Sequence, residues 1–296
     1  MTPRPELLLV DGTYELYRAY YGAPRQQAPS GLEVGATIGI GRSLHALSRK
    51  NPGAHLAVAF DTVIESFRND LLPTYKTGEG IEPDLFLQFP RAEDIVRALG
   101  IKVLSMIDYE ADDALASLAR AGSKSGLFER VILATPDKDL MQCVEGTTVV
   151  TWDRMRQKYY DEAAVQEKLG VAPRSVPDYL ALVGDPADGI PGLPRWGAKA
   201  ASRVLAIYGH LEHIPDQPRD WDERLISSLR GVDTLAAILR ERRSDAELYK
   251  TVATLKVDLE LVTTWDELRP GPLDRARLAA LASEWDADWL GEVSRV

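Results

Sequence analysis

The sequence is poor in the residues that form disulfides and zinc sites. Of its 296 residues one is cysteine, Cys143, and four are histidine. An internal disulfide is therefore excluded, and these five residues show no zinc-ligand spacing. Apolar runs are also short, since none approaches the roughly 20 residues that a membrane-spanning helix needs. Met1 to Glu6 lack the basic-then-apolar order of a secretion signal, so we expect a soluble, cytoplasmic protein with no membrane partner.

Positive charge is scarce in this chain. Lys and Arg number 35 against 45 Asp and Glu, which gives a formal net charge of −10 at pH 7. This balance argues against a surface coated uniformly with basic residues for nucleic acid. A local site is still compatible with it, because a protein that collects carboxylates around metal ions needs only local cations to hold phosphates. The position of the acids therefore decides the interpretation.

Short apolar runs alternate with helical patterns in the first half of the chain. The runs are typical of buried parallel strands; they are Leu7–Val10, His55–Phe60, Ile101–Leu104 and Val131–Ala134. Helices are predicted between them, at Ala36–Lys50, Phe89–Leu99 and Ala111–Lys124. This order predicts an α/β fold with a mostly parallel sheet flanked by helices on both faces. A further strand is predicted around Thr147–Val150.

The pattern changes to helical, with proline-rich breaks, from about Asp161 onward. We place a domain boundary there, which gives a core over residues 1–160 and a helical region over residues 161–296. The stretch from about Asp216 is polar and chemically quiet, and we expect it to form a helical cap.

Carboxylates follow the predicted strands. Asp11 and Asp61 end the first two, and the run Glu110 to Asp113 opens a helix after the third. Each acid alone is explained by turn chemistry or by the charge preference of a helix N-terminus. Because parallel sheets bind ligands beyond the carboxyl ends of their strands, however, acids that follow separate strands should meet in one crevice.

Two more pairs of acids complete the candidate set. They lie in TPDKD and GDPADG, and the full set is Asp11, Asp61, Glu110, Asp112, Asp113, Asp137, Asp139, Asp185 and Asp188. Like charges about 4 Å apart repel by roughly 4 kcal/mol at an effective dielectric of 20, so a gathered set needs protons or cations. Oxygen ligands select Mg²⁺ or Mn²⁺, and two such ions suit hydrolysis of a phosphodiester.

Two segments combine basic residues with turn-forming ones. In SFRNDLLPTYK, Arg68 or Lys76 could stabilise a phosphoryl group, while Tyr75 could stack on a base or pack inside the protein. In the second segment, GIPGLPRWGAKAA, glycines and prolines precede a small-residue helix start, whose backbone N–H groups could grip a phosphate without reading sequence.

The ordered motifs resemble one known family. VDGTYELYRAYY, AVAFD, FRNDLLPTYK, YEADDALASLA, TPDKDL and GDPADGIPGLPRWGAKAA are similar to the bacterial and phage 5′-to-3′ exonuclease and flap endonuclease family. The likeness runs from about residue 6 to 261 and includes the weaker match LYKTVATLKVDLEL. It implies a PIN-like core, a helical arch at about 62–90 that threads a DNA 5′ end, and a helix-three-turn-helix at about 175–210 that holds duplex DNA.

The resemblance also implies roles for single residues. All nine acids fall on metal-site positions, and the implied catalytic residues are Asp11, Arg18 and Lys76, the last two as contacts of the scissile phosphate. The expected DNA-binding set is Arg68, Tyr75, Gly192, Arg195, Gly197 and Lys199. Such an enzyme would use two or more Mg²⁺ or Mn²⁺ ions at DNA flaps, free 5′ ends or branch points, and leave a 5′ phosphate and a 3′ hydroxyl. We expect a nucleoid-associated monomer that acts in replication or repair, with RNA–DNA hybrids open as substrates.

Two departures from the family pattern bear on DNA binding. Glu79 lies where the family usually has an arginine, and Arg195 replaces a glycine in a hairpin that binds K⁺ in some members. Two other functions are compatible with parts of the pattern. A haloacid-dehalogenase-like phosphatase would use Asp11 as a nucleophile, although Thr13 stands where its second acid is expected. A structure-specific DNA-binding protein with weak cleavage is the alternative that is not an enzyme.

Overall fold

A computed structural model describes residues 4–295 of the chain. Met1–Pro3 and Val296 lie outside the described residues. Two predictions fall partly on them: the absence of a secretion signal in Met1 to Glu6, and the outer ends of the two predicted domains. Within the described range the strands are β1 (Glu6–Asp11), β2 (His55–Asp61), β3 (Lys102–Met106), β4 (Arg130–Ala134), β5 (Val149–Asp153) and β6 (Lys158–Tyr160).

Helices account for most of the remaining regular structure. They are α1 (Gly12–Gly22), α2 (Gly35–Lys50), α3 (Phe67–Leu71), α4 (Pro83–Phe86), α5 (Phe89–Ala98), α6 (Ala111–Ser125), α7 (Glu162–Leu169), α8 (Val176–Val183), α9 (Ala198–Tyr208), α10 (Glu223–Ser228), α11 (Val232–Glu241), α12 (Arg243–Ala253), α13 (Arg275–Trp285) and α14 (Asp288–Arg295). In residues 4–295 no helix combines the length and the apolar character needed to cross a membrane.

The chain forms two compact units, and each is assembled from separate stretches of sequence. The first unit consists of the residues up to 64, residues 78–135 and the residues from 257 onward. The second consists of residues 65–77 and 136–256. The boundary that we place near residue 160 remains a prediction.

The first unit contains a parallel sheet in the order β3-β2-β1-β4. Leu8 of β1 lies opposite Leu56 of β2 and opposite Ile132 of β4. All seven residues of β2 are buried, as expected for a continuous apolar strand that is covered on both faces. Helix α6 is followed by its cap residue Gly126, which adopts a left-handed conformation with a φ of 66°. The predicted mostly parallel α/β architecture is confirmed.

The second unit is built mainly of helices around its own apolar core. Its largest buried side chains include Trp196 and Trp221, and the antiparallel hairpin of β5 and β6 lies in the same unit. Helix α8 packs against α12 and α9. Residues 184–197 connect α8 to α9, so two helices joined by turns occupy the region predicted for the helix-three-turn-helix. The predicted arch region holds the short helices α3 and α4, separated by irregular backbone.

Candidate functional site

In the first unit, the ends of neighbouring strands present two of the predicted acids. Asp11 lies at the end of β1, where its Oδ1 accepts a hydrogen bond from Tyr14 N at 2.8 Å and its Oδ2 accepts one from Thr135 Oγ1 at 3.1 Å. Asp61 lies at the end of β2, and its Oδ1 accepts a hydrogen bond from Ala111 N at 2.7 Å. The start of α6 therefore lies against Asp61.

The acidic run before and within α6 is mostly buried. Asp113 Oδ2 accepts a hydrogen bond from Glu110 N at 3.0 Å, and the two residues form a reciprocal capping box. Capping thus explains part of their placement. Asp112 is half-buried. Asp11 and Asp61 thus lie at the carboxyl ends of β1 and β2, and the run Glu110 to Asp113 opens the helix that follows β3. That these five acids bind metal together remains a prediction.

The remaining four acids are gathered within the second unit. Carboxylate oxygens of Asp139, Asp185 and Asp188 all lie within 4.8 Å of one another. Asp137 Oδ1 accepts a hydrogen bond from Asp139 N at 2.9 Å, which holds the fourth acid beside them. Asp137 and Asp139 come from the segment after β4, and Asp185 and Asp188 come from the turn after α8. Each segment therefore supplies two carboxylates.

Burial and mutual repulsion disfavour the charged forms of two of these acids. Burial, together with the negative charges of Asp137, Asp188 and Asp185, raises the pKa of Asp139 well above its usual value of 3.8. Burial also raises the pKa of Asp188, although the positive charge of Lys76 opposes the shift. Asp139 and Asp188 share a side-chain hydrogen bond, so one proton relieves part of their repulsion.

The residues of this second group fit a divalent cation. Asp139 Oδ1 is buried and, within residues 4–295, has no hydrogen-bond partner. A buried oxygen without a partner is costly unless an ion or a water completes its contacts. Lys138 Nζ lies 2.7 Å from Asp185 Oδ2 and supplies part of the compensating positive charge. A set of hard oxygen donors with excess negative charge suits a hard divalent cation.

Lys76 lies next to this acidic group because its segment docks on the turn after α8. Lys76 N donates to Asp188 O at 3.0 Å, and Thr74 Oγ1 donates to Gly189 O at 3.4 Å. Gly189 has a φ of 73°, and a Cβ there would lie 2.1 Å from Thr74 O. Glycine is therefore required at residue 189 for the close approach of these two segments.

Arg68 and Tyr75 are buried, and this contradicts the DNA contacts that the sequence predicts for them. Arg68 is 1% exposed; its Nε donates to Val252 O at 2.8 Å and its Nη2 to Thr254 O at 3.3 Å. These carbonyls lie at the C-terminal end of α12, where a cation satisfies groups that the helix leaves without partners. Tyr75 is 4% exposed and belongs to the apolar core of the second unit. Of its two predicted roles, stacking on a base and packing inside the protein, the structure shows the second.

Arg18 occurs in α1 with a partner that the sequence motifs did not single out. Its Nη2 forms an ion pair with Glu15, which is fully buried, and donates to Ser43 Oγ at 3.0 Å. The signal in the sequence is an acid and an arginine three residues apart on one helix, which places them on the same face. Glu15 therefore fixes the position of the predicted phosphate contact.

The predicted DNA-binding residues of the second unit differ in exposure. Gly192 is buried, with a φ of 69°, and a Cβ there would lie 2.5 Å from Gly184 N, so this glycine allows two turns to pack closely. Arg195, Gly197 and Lys199 are exposed around the start of α9. Arg195 has a φ of 66°, a left-handed conformation that glycine adopts without cost.

A second cluster in the same unit already contains its own cation. Asp178, His210 and Glu212 have ligand atoms within 4.8 Å of one another. Lys250 Nζ lies 2.7 Å from Asp178 Oδ1 and 2.7 Å from Glu212 Oε1, so an ammonium group provides the positive charge. Asp178 also accepts a hydrogen bond from Leu211 N at 2.8 Å. This cluster joins α8 to α12 and to the turn after α9.

Known proteins resemble the chain along most of its length. The model of the "5′-3′ exonuclease, N-terminal resolvase-like domain" matches residues 6–170, and that of the "5′-3′ exonuclease, C-terminal SAM fold" matches residues 171–276. The 5′-3′ exonuclease of Aquifex aeolicus is 31% identical, over 89% of this chain and 86% of that protein. DNA polymerase I of Pseudomonas aeruginosa is 36% identical over 98% of this chain, which spans 31% of the length of that relative.

The fold also occurs in a solved structure. The bacteriophage T5 flap endonuclease, in a pseudo-enzyme-product complex with DNA and metal ions, superposes with a TM-score of 0.65 at 16% identity. The match covers 98% of this chain and 97% of that one. At this identity the likeness establishes a shared fold over nearly the whole of both chains.

Proposed function

The chain belongs to the 5′-3′ exonuclease family, and on that premise we propose that it hydrolyses DNA phosphodiester bonds at 5′ flaps, free 5′ ends or branch points. The products carry a 5′ phosphate and a 3′ hydroxyl. The observation that carries the proposal is the group of Asp139, Asp185 and Asp188, whose oxygens lie within 4.8 Å of one another and whose charge calls for a cation. Family membership also removes the phosphatase alternative.

The proposed cofactors are two or more divalent ions, Mg²⁺ or Mn²⁺. When bound, such ions lower the pKa of a coordinated water and stabilise the leaving oxygen of an in-line displacement. The proposed ligands are the carboxylates of the two groups described above. The T5 flap endonuclease, which shares the fold, was solved with metal ions, and this supports a metal-dependent reaction. K⁺ at the hairpin remains a prediction, and the guanidinium of Arg195 opposes it.

Lys76 and Arg18 are proposed to hold the scissile phosphate. Lys76 lies beside Asp188, and its charge already lowers the cost of ionising that acid. Arg18 is oriented by Glu15 and Ser43, so its guanidinium loses little further freedom when it contacts a phosphate. Preorganised cations of this kind stabilise charge that develops on the phosphoryl oxygens.

Duplex DNA is the proposed partner of the start of α9. The exposed residues Arg195, Gly197 and Lys199 contact the phosphate backbone there, and this contact is independent of sequence. Arg68 and Tyr75 are left out of the contact set because they are internal. A substrate of DNA or of an RNA–DNA hybrid is compatible with backbone contacts.

The test is a single-turnover assay on a labelled 5′-flap duplex with Mg²⁺, Mn²⁺ or EDTA, in which the position of the cut is mapped. We expect metal-dependent cutting near the junction, and Asp137→Asn should reduce cleavage far more than DNA binding. Binding without cutting in either metal would instead favour the structure-specific DNA-binding protein. Equal loss of cutting and binding in Asp137→Asn would contradict its role as a metal ligand.

A further inference from the structure

A basic cleft extends beyond the predicted DNA contacts of the second unit. Its volume is about 610 Å³, and its lining residues come from the start of α9 and from the turn after α10. The lining includes Arg195, Lys199, Arg203 and Arg230. No acidic residue is among the described residues that line it. In a chain with a net charge of −10, such a concentration of positive charge is unusual.

Three separate segments supply these cations. Arg195 comes from the turn before α9, and Lys199 and Arg203, four residues apart, share one face of that helix. Arg230 comes from the turn between α10 and α11. Arg203 Nη1 donates to Ser228 O at 3.0 Å, which ties the helix to that turn. The cleft is therefore held by a contact between its two walls.

We infer that Arg203 and Arg230 form an additional contact site for the phosphate backbone of duplex DNA, next to Arg195 and Lys199. The inference rests on the proposed function, because it concerns the same DNA. It adds two residues to the contact set and lengthens the path of the backbone along the second unit. The family motifs assign no role to either arginine.

The chemistry of the cleft favours a polyanion over a single small anion. All four cations are exposed, so each attracts one phosphate only weakly in water. A row of them gains affinity from a polymer, because every neutralised phosphate releases condensed counterions. Backbone phosphates are present at every step of a duplex, so a row of cations that contacts them holds DNA whatever its sequence.

Salt dependence provides the direct test. Affinity for a blunt DNA duplex and for a single-stranded oligonucleotide of the same length is measured by fluorescence anisotropy in EDTA, which prevents cleavage, between about 50 and 200 mM salt. Each lost phosphate contact reduces the slope of log K against log salt by about 0.9 for a duplex. Arg230→Ala should lower duplex affinity and reduce the slope by about that amount, whereas Arg230→Lys should keep most of the slope.

A matched control is available in the same unit. Arg240 is an exposed arginine on α11 outside the cleft, so Arg240→Ala should leave the slope unchanged. Arg203→Ala removes the bond to Ser228, so its fold is checked by circular dichroism, and Arg203→Lys tests the charge alone. A wild-type slope in both Arg230→Ala and a correctly folded Arg203→Ala would overturn the inference.

Other outcomes separate the inference from its premise. An equal loss of affinity for duplex and single strand in Arg230→Ala would overturn the assignment to a duplex. Failure of the wild-type protein to bind or cut any flap or duplex would defeat the proposed function itself. Wild-type cutting together with an unchanged salt slope in every arginine variant would leave the function standing and remove this contact site.

Discussion

Asp139 shows how folding and metal binding make opposite demands on a single residue. Asp139 is 6% exposed and lies among other acids, and burial together with their charges raises the pKa of its carboxyl group above the usual 3.8. Above the raised pKa the folded state holds a buried charge that the unfolded state exposes to water, so the metal-free protein is destabilised. As the pH falls toward 3.8 that penalty disappears, because the folded state binds the proton.

Asp139→Asn should therefore stabilise the metal-free protein at pH 7, by on the order of 1 kcal/mol or more, while reducing metal-dependent cleavage. The stabilisation should shrink as the pH falls toward 4. Urea denaturation in EDTA measures the free energy of unfolding, and Asp220→Asn, at an exposed aspartate of the same unit, is the control. No gain in stability over the wild type at pH 7 would contradict the repulsion argument.

Arg195 combines a strained backbone with an exposed charge. A left-handed conformation costs a residue with a Cβ roughly 1–2 kcal/mol, and the φ of Arg195 is 66°. Arg195→Gly should therefore be about 1 kcal/mol more stable than Arg195→Ala, although both remove the same charge. The two variants should lose equal affinity for duplex DNA. Thermal unfolding and anisotropy measure these effects, and equal stability of the two variants would show that the strain is absent.

At the scale of elements, the turn after α8 positions the segment that carries Lys76. Gly189→Ala places a Cβ 2.1 Å from Thr74 O, so the two segments must separate, and we expect a loss of stability together with slower single-turnover cleavage. Gly209 is a matched control, because its φ is also 73° and no atom would lie within 4 Å of a Cβ there. Gly209→Ala measures the conformational cost alone. Equal effects of the two substitutions on stability and cleavage would exclude the close contact as the cause.

The buried carboxylate of Asp178 connects three elements of the second unit. It is fully buried and pairs with Lys250 at 2.7 Å. Lys250→Met should cost about 3 kcal/mol of stability, because it leaves a buried charge without its main cation. Arg242→Met breaks a half-exposed pair with Asp245 and should cost less than about 1 kcal/mol. Denaturant unfolding compares them, and similar losses would mean that burial adds little to the Asp178 pair.

Local sequence predicted the elements better than it predicted the surroundings of single side chains. The apolar run before Asp61 predicted β2 correctly. Every residue of that strand is buried, so an unbroken apolar run is the pattern such a strand requires. In contrast, nothing near Arg68 indicates that its guanidinium reaches carbonyls at Val252 and Thr254, far away along the chain. The same limitation applies to Tyr75, for which stacking on DNA and internal packing remained equally compatible with the sequence. Only the tertiary fold decides between those alternatives.

For the molecule as a whole, metal binding should contribute to stability. A ligand that binds only the folded state at 100 times its Kd adds about 2.7 kcal/mol to the free energy of unfolding. Titration with Mn²⁺ should therefore raise the Tm of the wild-type protein, and the rise should be much smaller in Asp139→Asn. Thermal unfolding at increasing Mn²⁺ measures this. An equal rise in both proteins would place the ion elsewhere.

The interleaving of the two units has a consequence for the order of events on the ribosome. The second unit uses residues 65–77 and 136–256, so all of its parts have been synthesised before the last stretch of the first unit begins at residue 257. The first unit starts earlier and must wait for that stretch, which includes α13 and α14. During translation, the unit that begins second is therefore the one that can close first, while the parallel strands of the other remain without their final helices.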